Sequence, residues 1–173
     1  MSLQQPNSSP LFFWGHKGNS PNKCLSNWYP ASFVDEDNKQ FVNTEQYMMY
    51  HKAILFNDNV TGEEILNLSN PNLIKKKGRQ VKNFVESIWQ ENALIIVYNG
   101  CLLKFSQNES LKKYLLSTGD RLLVEASPYD KIWGIGMDEK TALKTSPDKW
   151  RGTNWLGECL IKVRKTLRER EKK

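Results

Sequence analysis

Apolar positions along this chain switch between short runs and helical spacing, and the switches divide it into elements. Leu11-Phe12-Phe13-Trp14 is a compact apolar run closed by Gly15 and reads as a first strand. Ser32 to Asp35 and Lys39 to Val42 flank Glu36-Asp37-Asn38, the pattern of a short hairpin. A first helix is expected from about Glu45 to Phe56, with Thr44 as its N-cap. Thr61-Gly62-Glu63-Glu64 reads as a capping box opening a second helix, and Ser69-Asn70-Pro71 opens a third that ends near Gly78. Leu94, Val97, Cys101, Leu102 and Phe105 keep helical spacing and place the longest helix over about Val85 to Phe105. Gly100 inside it costs about 1 kcal/mol relative to alanine, which marks either a close approach of a neighbour or a tolerated weak point. Glu109 to Ser117 is a further helix closed by Thr118-Gly119-Asp120, and Arg121 to Ala126 is strand-like. Ser127 to Trp150 is mostly loop. The last helix, about Trp155 to Glu169, carries Leu156, Leu160, Val163 and Leu167 on one stripe. The class expected is α+β, mainly α-helical, with a small antiparallel sheet built from the first strand, the hairpin and the Arg121–Ala126 strand.

The 173 residues, 39% hydrophobic and 25% charged, suit one soluble domain at 11–169, after a disordered lead-in at 1–10 and before a basic tail at 170–173. The longest apolar run, Ala93 to Val97, is too short for a bilayer, and the first ten residues lack the basic and apolar regions of a secretory signal. Cys24, Cys101 and Cys159 are odd in number and far apart, which fits a reduced, intracellular (cytoplasmic) setting. With His16 and His51 as the only histidines, and no metal-ligand spacing, neither a metal nor a cofactor is expected. The net charge of +6 gathers at Lys75-Lys76-Lys77-Gly78-Arg79 and along Lys162 to Lys173. These segments fit a polyanionic partner or simply solvated helix faces. Oligomeric state stays open, and no membrane partner is expected.

The chemistry concentrates on the first helix. Glu45 stands in its first turn, and Lys52 follows about two turns later on roughly the same side. A carboxylate and an amine on one rigid element suit acid–base work; equally, Glu45 complements the helix dipole.

Four segments taken in order resemble one family: Leu25-Ser26-Asn27-Trp28-Tyr29-Pro30; Asn43-Thr44-Glu45-Gln46-Tyr47 running to Lys52-Ala53; Ser127-Pro128-Tyr129-Asp130-Lys131-Ile132-Trp133-Gly134-Ile135-Gly136; and Asn154-Trp155-Leu156-Gly157. Together with Lys104-Phe105-Ser106-Gln107-Asn108 and Thr118-Gly119 they are similar to the NADAR, or YbiA-like, family from about Phe12 to Leu167. The resemblance implies an N-glycosidase that cleaves between ribose and an amine nitrogen. It implies a small-molecule substrate, either a ribosylaminopyrimidine phosphate of riboflavin biosynthesis or an ADP-ribosyl adduct of guanine, the latter including modified nucleic acid. It also implies Glu45, Asp130 and Trp89 as catalytic positions.

That chemistry passes through an oxocarbenium-like state. One carboxylate stabilises its charge and a second protonates the leaving amine; Glu45 and Asp130 would divide those tasks, with Trp89 stacking the base. Because a ribosylamine opens to an imine, Lys52 would either trap the sugar as a Schiff base or pair with a phosphate. Asp130 also fits as a turn cap. Arg79 reads as a phosphate ligand or a helix end, and Asn27 and Asn154 as ribose ligands or loop holders. Trp28 and Trp133 join the candidate binding residues, Trp133 also as a packing anchor, and Gly134 as a point of close approach. A non-catalytic nucleic-acid or ADP-ribose binding module, supported by the charge with six Trp and six Tyr, is the reading from another class.

Overall fold

The computed structural model describes residues 9–172, so most of the lead-in expected at 1–10 lies outside the described residues. Those described fall into two compact units, one of residues 27–108 and one formed by the segments on either side of it.

The helical unit grows around α1 (Thr44–Leu55), which packs against α2 (Asn59–Leu66), α3 (Pro71–Gly78) and α4 (Glu86–Gln107). Its hairpin pairs β2 (Phe33–Val34) with β3 (Gln40–Phe41) antiparallel. Asp35 closes the turn by accepting from the Asp37 and Lys39 N–H groups at 3.0 and 2.8 Å, and Asn38 takes the left-handed conformation such turns need, φ 58°. Phe33, Phe41 and Tyr47 stack where hairpin meets helix.

The caps differ from expectation at two places. Asn43, not Thr44, caps α1, its Oδ1 accepting from Gln46 N at 2.8 Å; both are good cap formers, and Thr44 is instead the first helical residue. Asp58, not the Thr61 box, opens α2 by accepting from Thr61 N. Asn70 caps α3 with Pro71 in its first turn, as expected. Gly100 is a close approach: a methyl group there would stand 2.6 Å from Tyr47 Cδ1 and 3.1 Å from Thr44 Cγ2, so α1 and α4 touch through the missing side chain.

The other unit pairs β1 (Leu11–Phe13) with β4 (Leu123–Glu125), Leu11 opposite Leu123 and Phe13 opposite Glu125. This pair is parallel and stands apart from the hairpin, so the single antiparallel sheet expected from the sequence is replaced by two two-stranded sheets. Parallel strands require a long connection, and the hairpin, α1 to α4 and one further helix lie between these two in the chain. α5 (Glu109–Ser117), the short α6 (Glu139–Ala142) and α7 (Trp155–Glu171) complete the unit. The α7 stripe of Leu156, Leu160, Val163 and Leu167 is buried as expected. The helix runs into the segment expected as a tail. Buried Arg164 donates to Thr118 Oγ1 at 2.7 Å and to Arg121 O at 2.9 Å, closing the turn after α5. No helix among the described residues is long and apolar enough to cross a membrane.

Gly100→Ala should lower stability in urea unfolding by about 1–3 kcal/mol from overpacking, against the gain of about 1 kcal/mol its helix propensity would give in an open site. A stabilised protein would contradict the contact.

Candidate active site

Glu45 sits in the first turn of α1 and is 4% exposed. Its backbone N–H, one of the donors a helix start leaves without an intrahelical partner, is taken by Asn27 O at 2.9 Å. Asn27 is itself buried, and its Oδ1 accepts from the Cys101 thiol on α4 at 3.7 Å. Asn27 therefore fixes the start of α1 against α4. Glu45 is positioned by backbone bonds on a helix rather than by a flexible loop.

Lys52 lies near the other end of α1. Its ammonium donates to Gly78 O at 3.0 Å, serving a carbonyl at the end of α3. The Phe84 ring covers it at 4.4 Å and the Trp89 ring at 5.6 Å. Burial holds Lys52 below the ordinary lysine value of 10.5; nearby Arg79 pushes the same way, while Glu86 and Glu45 oppose. Trp89 is on α4 as expected, half-buried in the first turn. Arg79 is exposed just past α3, its N–H closing the helix on Lys75 O. The basic cluster divides: Lys77 forms a surface ion pair with Glu64, whereas Lys75 reaches over the Trp28 ring at 5.7 Å. Trp28, Glu45, Lys52, Arg79 and Trp89 all belong to the helical unit.

Two features of this site escaped the sequence. Phe84, one residue ahead of the helix start expected at Val85, was assigned no role, yet it precedes α4 and shields Lys52. Asp58 anchors the same loop, accepting from Lys82 N at 2.8 Å, and this bond, with those from Thr61, holds its carboxyl below the usual range. The signal available was an apolar pair, Phe84-Val85, standing just ahead of a helix with no side-chain cap of its own.

Asp130, Trp133, Gly134 and Asn154 belong to the other unit. Asp130 is a turn cap there: Oδ1 accepts from Ile132 N and Trp133 N at 2.9 and 2.8 Å. Trp133 packs edge-on to Trp155 at 5.7 Å, the anchor role. Gly134 is crowded by protein: a methyl group would stand 2.9 Å from Glu125 O and 3.0 Å from Asp130 O. Asn154, at φ 54°, lays its amide along β4, accepting from Glu125 N and donating to Leu123 O, both at 2.9 Å. Its side chain extends the sheet.

A family model described as NADAR domain matches residues 12–168. The chain is 43% identical to N-glycosidase R617 of Acanthamoeba polyphaga mimivirus over 89% of this chain and 94% of that protein. It is 30% identical to the maize protein named riboflavin biosynthesis protein PYRR, chloroplastic, over 83% of this chain and 23% of that one. The NMR structure of the E. coli protein YbiA shares the fold, with a TM-score of 0.78 at 23% identity, covering 96% of this chain and 89% of that one.

Burying a lysine whose folded pKa lies below 10.5 costs stability while the amine is charged. That cost is full below the folded pKa and is relieved as pH rises towards 10.5, where the unfolded chain still binds more protons. The stability of Lys52→Met relative to wild type should therefore decline as pH is raised through this window in chemical denaturation. A pH-independent difference would contradict the burial.

Proposed function

Because the chain belongs to the NADAR family and is an N-glycosidase, we propose that it hydrolyses the bond between ribose C1 and an exocyclic amine. The substrate class proposed is the ribosylaminopyrimidine phosphates of riboflavin biosynthesis. The observation that carries the reading is Lys52, an amine of lowered pKa under two aromatic rings, on the same helix as buried Glu45. Attack on carbon requires Lys52 first to give up a proton, which its burial favours.

The steps balance as follows. Glu45 protonates O4′ as the C1–O4′ bond breaks, and the amine lone pair forms an iminium at C1. Lys52 Nζ adds to C1 and gives up a proton. Glu45 carries a proton to the base nitrogen, whose bond to C1 breaks as the neutral amine leaves. Water then hydrolyses the Lys52 imine, releasing the sugar aldehyde and restoring the lysine. Trp89 and Phe84 offer faces to the pyrimidine, and Arg79 and Lys75 supply charge for the phosphate. The name of the maize relative supports the riboflavin-pathway substrate. Lys75 over Trp28, with Arg79 closing the same helix, favours a second substrate reading, ADP-ribose on guanine, which brings a base and two phosphates. Kinship with N-glycosidases sets aside the binding-module reading.

Purified protein should release base from a ribosylaminopyrimidine phosphate, and Glu45→Gln should lose about 10²–10⁴-fold in kcat. Release only from ADP-ribosylated guanosine would select the second reading; equal turnover by Glu45→Gln on both would overturn the role of Glu45. A borohydride quench during turnover should leave the sugar on Lys52. No adduct, with normal turnover by Lys52→Ala, would remove the imine.

A further inference from the structure

The unit that pairs β1 with β4 contains a cleft of about 660 Å³ whose lining includes none of Glu45, Lys52 and Trp89. Phe13, the last residue of β1, and Trp14 after it form one wall, and Ala126, just past β4, another. The cleft thus opens at the carboxyl ends of two parallel strands, the end at which parallel arrangements leave room for ligands, and its size suits a small molecule.

Its chemistry has two parts. Trp14, on the wall, is 55% exposed, and outside the cleft's own lining it meets Tyr129, 85% exposed, with ring centroids 5.9 Å apart at 56°. Two large aromatic faces held open to solvent suit a flat heterocycle. The lining that includes Trp14 also carries Lys17, Lys23 and Lys140. Lys23 Nζ donates to Gly18 O at 2.7 Å, which fixes its stem and leaves two N–H donors on the ammonium. The acidic lining is Asp138 and Glu139. Asp138 is turned to its own helix, accepting from Thr141 N and Oγ1 at 3.0 and 2.9 Å. Asn22 is fixed between Phe12 O and the Tyr114 hydroxyl, so the floor is rigid.

We propose that this cleft binds a nucleoside monophosphate, its base against Trp14 and Tyr129 and its phosphate among Lys17, Lys23 and Lys140. The site stands independently of the reaction proposed above, because binding is read without turnover.

Calorimetric titration with AMP and GMP, and with adenosine and inorganic phosphate alone, tests it. Nucleotide should bind more tightly than either half. Tyr129→Ala, at a surface position that leaves folding intact, should weaken binding by about tenfold. Lys17→Gln with Lys140→Gln should weaken the nucleotide but not adenosine, and flatten the salt dependence. The proposal is overturned by unchanged affinity in these variants, by inorganic phosphate binding as well as the nucleotide, or by binding lost in Glu45→Gln instead. A single-stranded oligonucleotide binding far more tightly than AMP or GMP would also overturn it.

Discussion

The helical unit depends on the side chain of Gln46. It is buried in the first turn of α1, where its Oε1 accepts from Val42 N at 2.9 Å and its Nε2 donates to Ile65 O, Leu66 O and Leu68 O at 3.1, 3.2 and 2.8 Å. One amide therefore joins the chain entering α1 to the carbonyls that end α2. Each such group left unmatched in the interior would cost about 1–3 kcal/mol. With the Asn43 cap, this matches two of the four polar side chains buried at Asn43-Thr44-Glu45-Gln46. Glu45 is carried inside with it, held by the same set of bonds.

Lys52 does at the far end of α1 what Gln46 does at the near end. Gln46 serves the last carbonyls of α2, and Lys52 serves Gly78 O at the end of α3. Gly78 leaves no room for a side chain against Met49, so α3 closes tightly on α1 and brings Arg79 near the lysine. Binding two helix ends with side chains of one central helix gives a rigid frame. A rigid frame is what acid–base and nucleophilic groups need to stay in register with a substrate. The stacking faces come from α4 and the loop before it, tied down by Asp58 through Lys82 N.

The six longer helices and their order were legible because apolar spacing, Asn70-Pro71 and the α7 stripe are local signals, whereas the short α6 lies in a stretch read as loop. Gly100 was legible as a choice between contact and weakness, and the contact is real. The rest depended on distant partners. Asn43 and Thr44 are adjacent cap formers that local sequence does not separate, and Asp58 outcompetes Thr61 because it also has Lys82 N to bind. The direction in which β1 and β4 pair is not written in either strand. Asn154 serves as a piece of strand only because its left-handed backbone aims its amide at β4. Asp130 and Trp133 were legible as motif members, while their bonds show a loop being held in shape.

The most direct test of the central claim is a crystal structure of Glu45→Gln soaked with an uncleaved ribosylaminopyrimidine phosphate. Ribose C1 should lie within reach of Lys52 Nζ and of residue 45, with the pyrimidine on Trp89 or Phe84. A sugar seated away from both Lys52 and residue 45 would contradict it.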